Sequence, residues 1–341
     1  MKGFRINEPG NVSVVDNLSM PIMKEDEVLI EIKRVGFCGT DLNTYRGRNP
    51  LIKFPLIPGH EVSGVIAKMG SNVPKEYTIG DRVSVLPYTN CGVCSSCLVG
   101  RVNACKDNQT FGVQRDGAMV EYISVPYQKI ISGLNSLTFE SIAIVEPLAV
   151  GFHAARRLNP NNGDIVLVFG CGMVGLGAIA NLSILGAKVI AVDIDDEKLD
   201  IATSCGATYT INSSTQDLQK EVLNITNNHG PVGVVEAIGL VETYKLAVDI
   251  VSYAGKVVYV GYANQPVDFI TKQFVLKEIE IRGSRNAVKQ DFSDVLMAMK
   301  DGKIPSEKLI SKVVPLIKAP SALKEWSDNP GKISKILVSF E

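Results

Sequence analysis

"DIVLVFGCGMVGLGAIANLSILGAKVIAVDID", residues 164–195, passes from an apolar run through a cluster of glycines into a second apolar run. From Ile165 to Ala187 no charge interrupts it, and 23 such residues could cross a bilayer as one helix. Five glycines fall in those 23 residues, four of them between Gly170 and Gly177. That punctuation suits a strand, a tight turn and a buried helix, so no membrane helix is expected. Gly170-Cys171-Gly172-Met173-Val174-Gly175 reads GxGxxG, directly after the strand and at the opening of the helix. In that context Gly170, Gly172 and Gly175 permit the turn and let backbone amides, with Met173 and Val174, meet a pyrophosphate at the positive end of the helix. The next strand ends at Asp193, 23 residues past Gly170, where a carboxylate can bind both adenosine ribose hydroxyls. It would repel a 2′-phosphate, and Ile194, Asp195 and Asp196 follow it rather than an arginine, so NAD is favoured over NADP. Lys198 can add a ribose contact, or be only a solvated helix lysine.

Outward from this stretch the chain changes character. Upstream, "EVLIEIKRVGFC", "HEVSGVIAKMG", "GDRVSVLPY" and "AMVEYISVPYQKII" read as short strands between turns, a β-rich region over the first 150 residues. Downstream, "VGVVEAIG", "KVVYVGYA" and "KEIEIRGSR" are strands alternating with helices such as "ETYKLAVDIVSYAG", the pattern of a parallel sheet covered on both faces. The tail from about Asn286 combines the helix "DFSDVLMAMKDG" with a final strand "KILVSF" and is expected to return to the first domain. At 341 residues, 45% apolar and 21% charged, the chain has room for two cored domains. A net charge of −1 without a basic block excludes the electrostatic footprint of a nucleic-acid binder. "MKGFRINEPG" lacks the apolar core of a secretory signal, so the expected address is the reducing cytoplasm.

"CGVCSSCLVGRVNAC", residues 91–105, holds four of the seven cysteines at spacing Cys91-x2-Cys94-x2-Cys97-x7-Cys105. A structural disulfide is disfavoured in a cytosolic chain, and no βαβ pattern precedes the cluster as a redox CxxC requires. Four thiolates on a short loop can close one tetrahedral zinc, with an iron–sulfur cluster as the rival. A closed zinc site performs no chemistry, so the reacting centre lies elsewhere. Cys38 in "GFCGTDLNTYRG", His60-Glu61 in "PGHEVSG" and Glu146 in "IVEPLAVGFH" are the candidates. Singly each has an ordinary account as a core cysteine or a satisfied polar group. Together they are the mixed donors that a catalytic zinc with an open position takes.

In this order, Cys-Gly-Thr-Asp at 38–41, Gly-His-Glu at 59–61, the four-cysteine lobe at 88–107, Glu146-Pro147 and the glycine fingerprint resemble the zinc-dependent medium-chain dehydrogenases across the whole length. The resemblance implies a GroES-like β-rich catalytic domain, residues 1–150 and 286–341, around an inserted Rossmann NAD-binding domain, 151–285. It implies two zinc ions per chain, one catalytic and one structural. Cys38 and His60 match the first two ligands of the catalytic zinc, and Glu146 stands where alcohol dehydrogenases have a cysteine, as in the sorbitol and threonine dehydrogenase-like branch. Either Glu61 or Glu146 then touches the metal. Thr40 matches the hydroxyl that accepts the substrate proton, whereas Asn43 stands where relatives commonly carry a relaying histidine and cannot titrate.

"GSRNA" and "FGVQRDGAMVEYISVP" are further similar to bacterial L-gulonate/L-galactonate 5-dehydrogenases. Arg285, with Asn286, matches the region where sorbitol-dehydrogenase-like enzymes place a substrate arginine, and a guanidinium suits a sugar-acid carboxylate. Asn43 lies in the same expected pocket. The expected reaction is NAD-dependent oxidation of a CH–OH donor, a secondary hydroxyl of a polyol, sugar or sugar acid, with a threonine-type or simple secondary alcohol as the alternative. A non-catalytic NAD- and zinc-binding sensor is the rival from another class. A homodimer or homotetramer is expected, with exposed strand edges such as "KVVYVGYA" available for pairing.

Overall fold

The computed structural model describes residues 1–50, 52–331 and 333–341, which fall into two compact units. The first comprises Met1–Glu146 and Ser306–Glu341, the second Pro147–Pro305.

In the first unit, β1 (Gly3–Glu8) and β2 (Asn11–Val15) form a small antiparallel pair. The longest strand, β3 (Glu27–Gly36), is rich in β-branched residues and has only buried and half-buried positions. It ends against helix α1 (Gly39–Tyr45), whose start is fixed by the Asp41 carboxylate accepting the Cys38 amide at 2.8 Å. β4 (Glu61–Met69) runs antiparallel to β3 with Gly36 opposite Glu61. β5 (Arg82–Val85) follows, and the cysteine loop contains one turn of helix, α2 (Ser95–Leu98). β6 (Tyr122–Pro126) pairs with β3 and β7 (Ile130–Ile131) with β5, before helix α3 (Phe139–Ala143). The core includes Phe4 and Phe37, packed edge to face with ring centroids 5.4 Å apart.

Helix α4 (Val145–Leu158) leads into the second unit, whose sheet is built from β8 (Ile165–Phe169), β9 (Lys188–Asp193), β10 (Tyr209–Asn212), β11 (Gly233–Glu236), β12 (Lys256–Tyr259) and β13 (Glu280–Gly283). Every pairing is parallel and the order is β10-β9-β8-β11-β12-β13. The central strands are buried on both faces, as their unbroken Val, Ile and Leu runs require. Helices α5 (Met173–Ile184), α6 (Asp196–Ser204), α7 (Leu218–Ile225), α8 (Val241–Ile250) and α9 (Lys272–Lys277) alternate with the strands. The order turns back between β8 and β11, the switch point at which such sheets bind ligands. "KVVYVGYA" is not an edge: β12 is hydrogen-bonded on both sides, and the exposed edges are β10 and β13.

The helix "DFSDVLMAMKDG", α10 (Lys289–Lys300), belongs to the second unit, so the division falls after Pro305 and not at 286. Phe292, Val295 and Leu296 are buried, and Asp291 anchors the helix to α4 by accepting from His153 Nδ1 at 2.9 Å and meeting Arg156 Nε at 3.0 Å. The final elements, β14 (Lys312–Pro315), α11 (Ala319–Asp328) and β15 (Ile336–Ser339), return to the first unit. There β15 lies antiparallel to β3, with Leu337 opposite Gly36. Among the described residues no helix is long and apolar enough to cross a membrane.

Candidate active site

Three chain crossings bring the reactive residues of the first unit together. Cys38 follows β3, His60 immediately precedes β4 and Glu61 opens it, and the tail before β15 delivers Lys335. The ligand atoms of Cys38, His60 and Glu61 lie within 4.8 Å of one another. His60 is 5% exposed, and its Nδ1 is buried with no hydrogen-bond partner. Burial works to lower the His60 pKa, but Cys38, Asp41 and Glu146 outweigh it and raise the pKa well above its ordinary value. The site therefore carries an excess of negative charge around an orphaned imidazole nitrogen, which fits a divalent cation of borderline softness such as zinc.

Glu61 is fully buried and shares both carboxylate oxygens with Lys335 Nζ, at 2.6 Å each. Lys335 is only 2% exposed and also donates to the Phe37 carbonyl at 2.9 Å. The approach is so close that a Cβ on Gly36 would come within 2.0 Å of Glu61 Oε2, which explains the glycine. Glu146 is outside the Cys38–His60–Glu61 grouping but buried, and its Oε1 accepts the Tyr88 hydroxyl. Burial raises the Glu146 pKa while His60 and Tyr88 pull it down. Asp41 is likewise raised by burial, with His60 opposing. Thr40 is half-buried in the first turn of α1, and its carbonyl accepts the Thr44 hydroxyl at 2.8 Å. Asn43 is half-buried one turn further on.

Lys335, Tyr88 and Asp41 were not singled out by sequence, since a lysine before a strand or a tyrosine in "VLPYTNC" carries no spacing signal. The charged pair gives the first testable consequence. Lys335→Met leaves a buried carboxylate uncompensated and should cost about 3–5 kcal/mol, read as a lower urea midpoint. Adding Glu61→Gln should recover part of that loss; equal midpoints for wild type and Lys335→Met would refute the assignment.

In the cysteine lobe the four sulfur atoms also lie within 4.8 Å of one another. Cys94 and Cys105 Sγ are 3.9 Å apart, close to the roughly 3.8 Å edge of a tetrahedron with zinc–sulfur bonds of about 2.3 Å. The Cys91 amide donates to Cys105 Sγ and the Cys94 amide to Cys91 Sγ, both at 3.3 Å. The Ser96 hydroxyl, with the Cys97 and Lys106 amides, pushes the Cys94 thiol down to about 5. These donors favour the thiolate at Cys94, the form that binds a metal, whereas burial pushes the Cys97 thiol up to about 11.

In the second unit the glycine turn closes β8 onto α5. Gly170 has φ of +91°, and a Cβ on Gly175 would stand 1.8 Å from the Gly170 carbonyl. Beside Gly172 there is open space, as a pyrophosphate needs, with Met173 and Val174 opening the helix. Asp193 ends β9, and its carboxylate accepts the Cys171 and Ile194 amides at 2.8 Å each. Lys198 is half-buried in the first turn of α6. Arg285 and Asn286 are half-buried between β13 and α10, and both are engaged in interactions of their own.

Two families match the chain: "Alcohol dehydrogenase GroES-like domain" over residues 24–134 and "Zinc-binding dehydrogenase" over residues 173–301. A sorbitol dehydrogenase of Bacillus subtilis (strain 168) is 37% identical over 275 residues, 79% of this chain and 78% of its own. L-galactonate-5-dehydrogenase of Escherichia coli (strain K12) is 31% identical over 94% of each chain. The crystal structure of galactitol-1-phosphate dehydrogenase from Escherichia coli superposes with a TM-score of 0.90 at 28% identity, covering 99% of this chain and 100% of its own.

Proposed function

We propose that this chain, which belongs to the zinc-binding alcohol dehydrogenase family, oxidises a secondary hydroxyl of a polyol, sugar or sugar acid to a ketone with NAD. The observation that supports this most is the convergence of Cys38, His60 and Glu61 around an orphaned imidazole nitrogen, with Thr40 two positions after Cys38 in the chain. Cys38, His60 and Glu61 would hold the catalytic zinc, with Glu146 adding negative charge beside His60; Cys91, Cys94, Cys97 and Cys105 would hold the structural one. A zinc there supplies Lewis acidity toward an alcohol oxygen, and NAD supplies the hydride acceptor.

The chain's own residues do the rest. Thr40 accepts the hydroxyl proton, and Asn43, which cannot titrate, leaves water to take it onward. With NAD⁺ bound, the carbon-bound hydrogen would leave as hydride, so that one alcohol and one NAD⁺ would give one ketone, one NADH and one proton. Lys335 neutralises Glu61 and keeps its carboxylate in place. Gly172 leaves room for the pyrophosphate, and Asp193 binds the adenosine ribose. Arg285, Asn286 and Asn43 are proposed substrate contacts. A homodimer or homotetramer is the proposed assembly.

NADH formation with a panel of hexitols, pentitols, hexonates and threonine tests the reading; a zinc-loaded chain that reduces NAD with none of them refutes it. Asp193→Asn should shift cofactor choice. Losing one charged acceptor costs NAD about 10-fold or more in kcat/KM and relieves the repulsion of a 2′-phosphate. The NADP/NAD ratio should therefore rise, and an unchanged ratio would remove Asp193 from the ribose.

A further inference from the structure

The turn at residues 111–117 holds a cation for which folding supplies no counter-charge. The Arg115 guanidinium stacks on Phe111, 3.9 Å from the ring centroid, and its Nε is buried without a hydrogen-bond partner. The adjacent carboxylate, Asp116, is turned away to accept the Ile57 amide at 2.9 Å. A second cation, Lys129, lies on the neighbouring segment, since Leu86 and Pro87 bond the Lys129 and Phe111 backbones in turn; burial first, and the charge of Arg115 second, lower its pKa. Burial lowers the Arg115 pKa as well. Lys129 Nζ reaches only the neutral Asn90 Oδ1, at 3.2 Å. Among the described residues neither side chain has an ion-pair partner. Two half-buried like charges on neighbouring segments repel each other unless an anion joins them.

Their placement ties them to the reacting residues. On one side Gly117 donates to Ile57 O at 2.7 Å, Met119 to Pro58 O at 3.0 Å and Ala118 to Gly59 O at 2.9 Å. That backbone continues directly into His60. On the other side the Phe111 amide donates to Pro87 O at 3.1 Å, and the Leu86 amide to Lys129 O at 2.8 Å. The next residue, Tyr88, carries the hydroxyl that holds Glu146. The cation pair is thus mounted on the two segments that present His60 and Tyr88.

We propose that Arg115 and Lys129 form an anion subsite that receives the terminal carboxylate or phosphate of the substrate, with Arg115 giving the guanidinium fork and Lys129 the point charge. The subsite rests on the dehydrogenase reading above and narrows it to substrates with one charged end. Carboxylate and phosphate share this chemistry, so the test separates them.

The zinc-loaded chain with NAD is assayed on L-galactonate, galactitol 1-phosphate and galactitol, the last being the uncharged member. In Arg115→Gln and in Lys129→Gln, the ratio of kcat/KM for the charged substrate to that for galactitol should fall about 10- to 100-fold, mostly through KM. The charged substrate that shows the fall identifies the group. Arg115→Lys, which keeps the charge but loses the fork, should recover part of it. Equal ratios in wild type and variants, or a loss that appears in Arg285→Gln alone, would overturn the proposal. Calorimetric titration with L-galactonate and with inorganic phosphate needs no turnover. A Kd at least 10-fold weaker in Arg115→Gln supports the subsite, and absent or equal binding overturns it. A chain that oxidises none of the panel but binds anions through Arg115 would refute the dehydrogenase reading alone. A chain that oxidises galactitol and the charged substrates with no dependence on Arg115 would refute the subsite alone.

Discussion

His60→Ala should lower kcat/KM by about 10³-fold or more and leave the purified chain with one zinc where wild type holds two. The magnitude follows from the several kcal/mol that a metal Lewis acid contributes to such reactions, with each 1.36 kcal/mol worth a factor of ten. The loss of metal follows from the site. Among the described residues Cys38 and Glu61 are the other donors grouped with it within 4.8 Å, and Glu61 is already claimed on both oxygens by Lys335. Removing the imidazole leaves a thiolate and an ion-paired carboxylate, too few to retain zinc against a chelator. Turnover is read with whichever panel substrate wild type oxidises, and metal by a colorimetric zinc titration of unfolded protein. Full turnover in His60→Ala would break the link between this imidazole and the reaction, and two retained zincs would remove it from the metal.

Much of this arrangement is visible in the order of the residues. The glycine spacing at 170–175 works because turn chemistry is local: φ of +91° at Gly170 and the contact at Gly175 are set within six residues. Asp193 is legible because a strand must end before the next helix begins. The four-cysteine lobe is legible because thiolate spacing limits what one loop can wrap. What sequence does not disclose is long-range. Lys335 meets Glu61 across 274 positions, and only the antiparallel pairing of β15 with β3 brings them together. In sequence the helix α10 reads as part of the tail, because its periodicity says that it is amphipathic but not what will cover its apolar face. Asp291, buried against His153 and Arg156, makes that choice. "KVVYVGYA" has the composition of any strand, and whether a strand is an edge depends on its neighbours in the sheet.

Cys97→Ser should do to stability what His60→Ala does to turnover. The lobe contributes little apolar burial of its own: Val93, Leu98 and Val99 are 76%, 73% and 71% exposed. Its α-helix, Ser95–Leu98, spans four residues and its 3-10 turn, Val102–Ala104, three, both far below the length at which a helix holds itself. What remains to order it is a set of short-range hydrogen bonds, the amide-to-sulfur bonds and Ser96 Oγ to the Ala104 carbonyl at 3.0 Å among them, and the ion that four thiolates would close around. In small zinc modules that binding is worth about 10–16 kcal/mol. Here the lobe is anchored at both ends by a folded domain, so a fraction of it, about 5 kcal/mol or more, should be lost. The expected readings are a lower thermal midpoint, one zinc instead of two, and new proteolytic cleavage within residues 91–105. Two of these distinguish the lobe from the His60 site, because His60→Ala should remove a zinc without opening the lobe to protease. A visible absorption band that disappears with Cys97 would replace zinc by an iron–sulfur cluster. An unaltered midpoint and metal count would mean that the thiolates hold no ion at all, and the lobe would then have to be ordered by contacts that its exposed valines and leucine do not make.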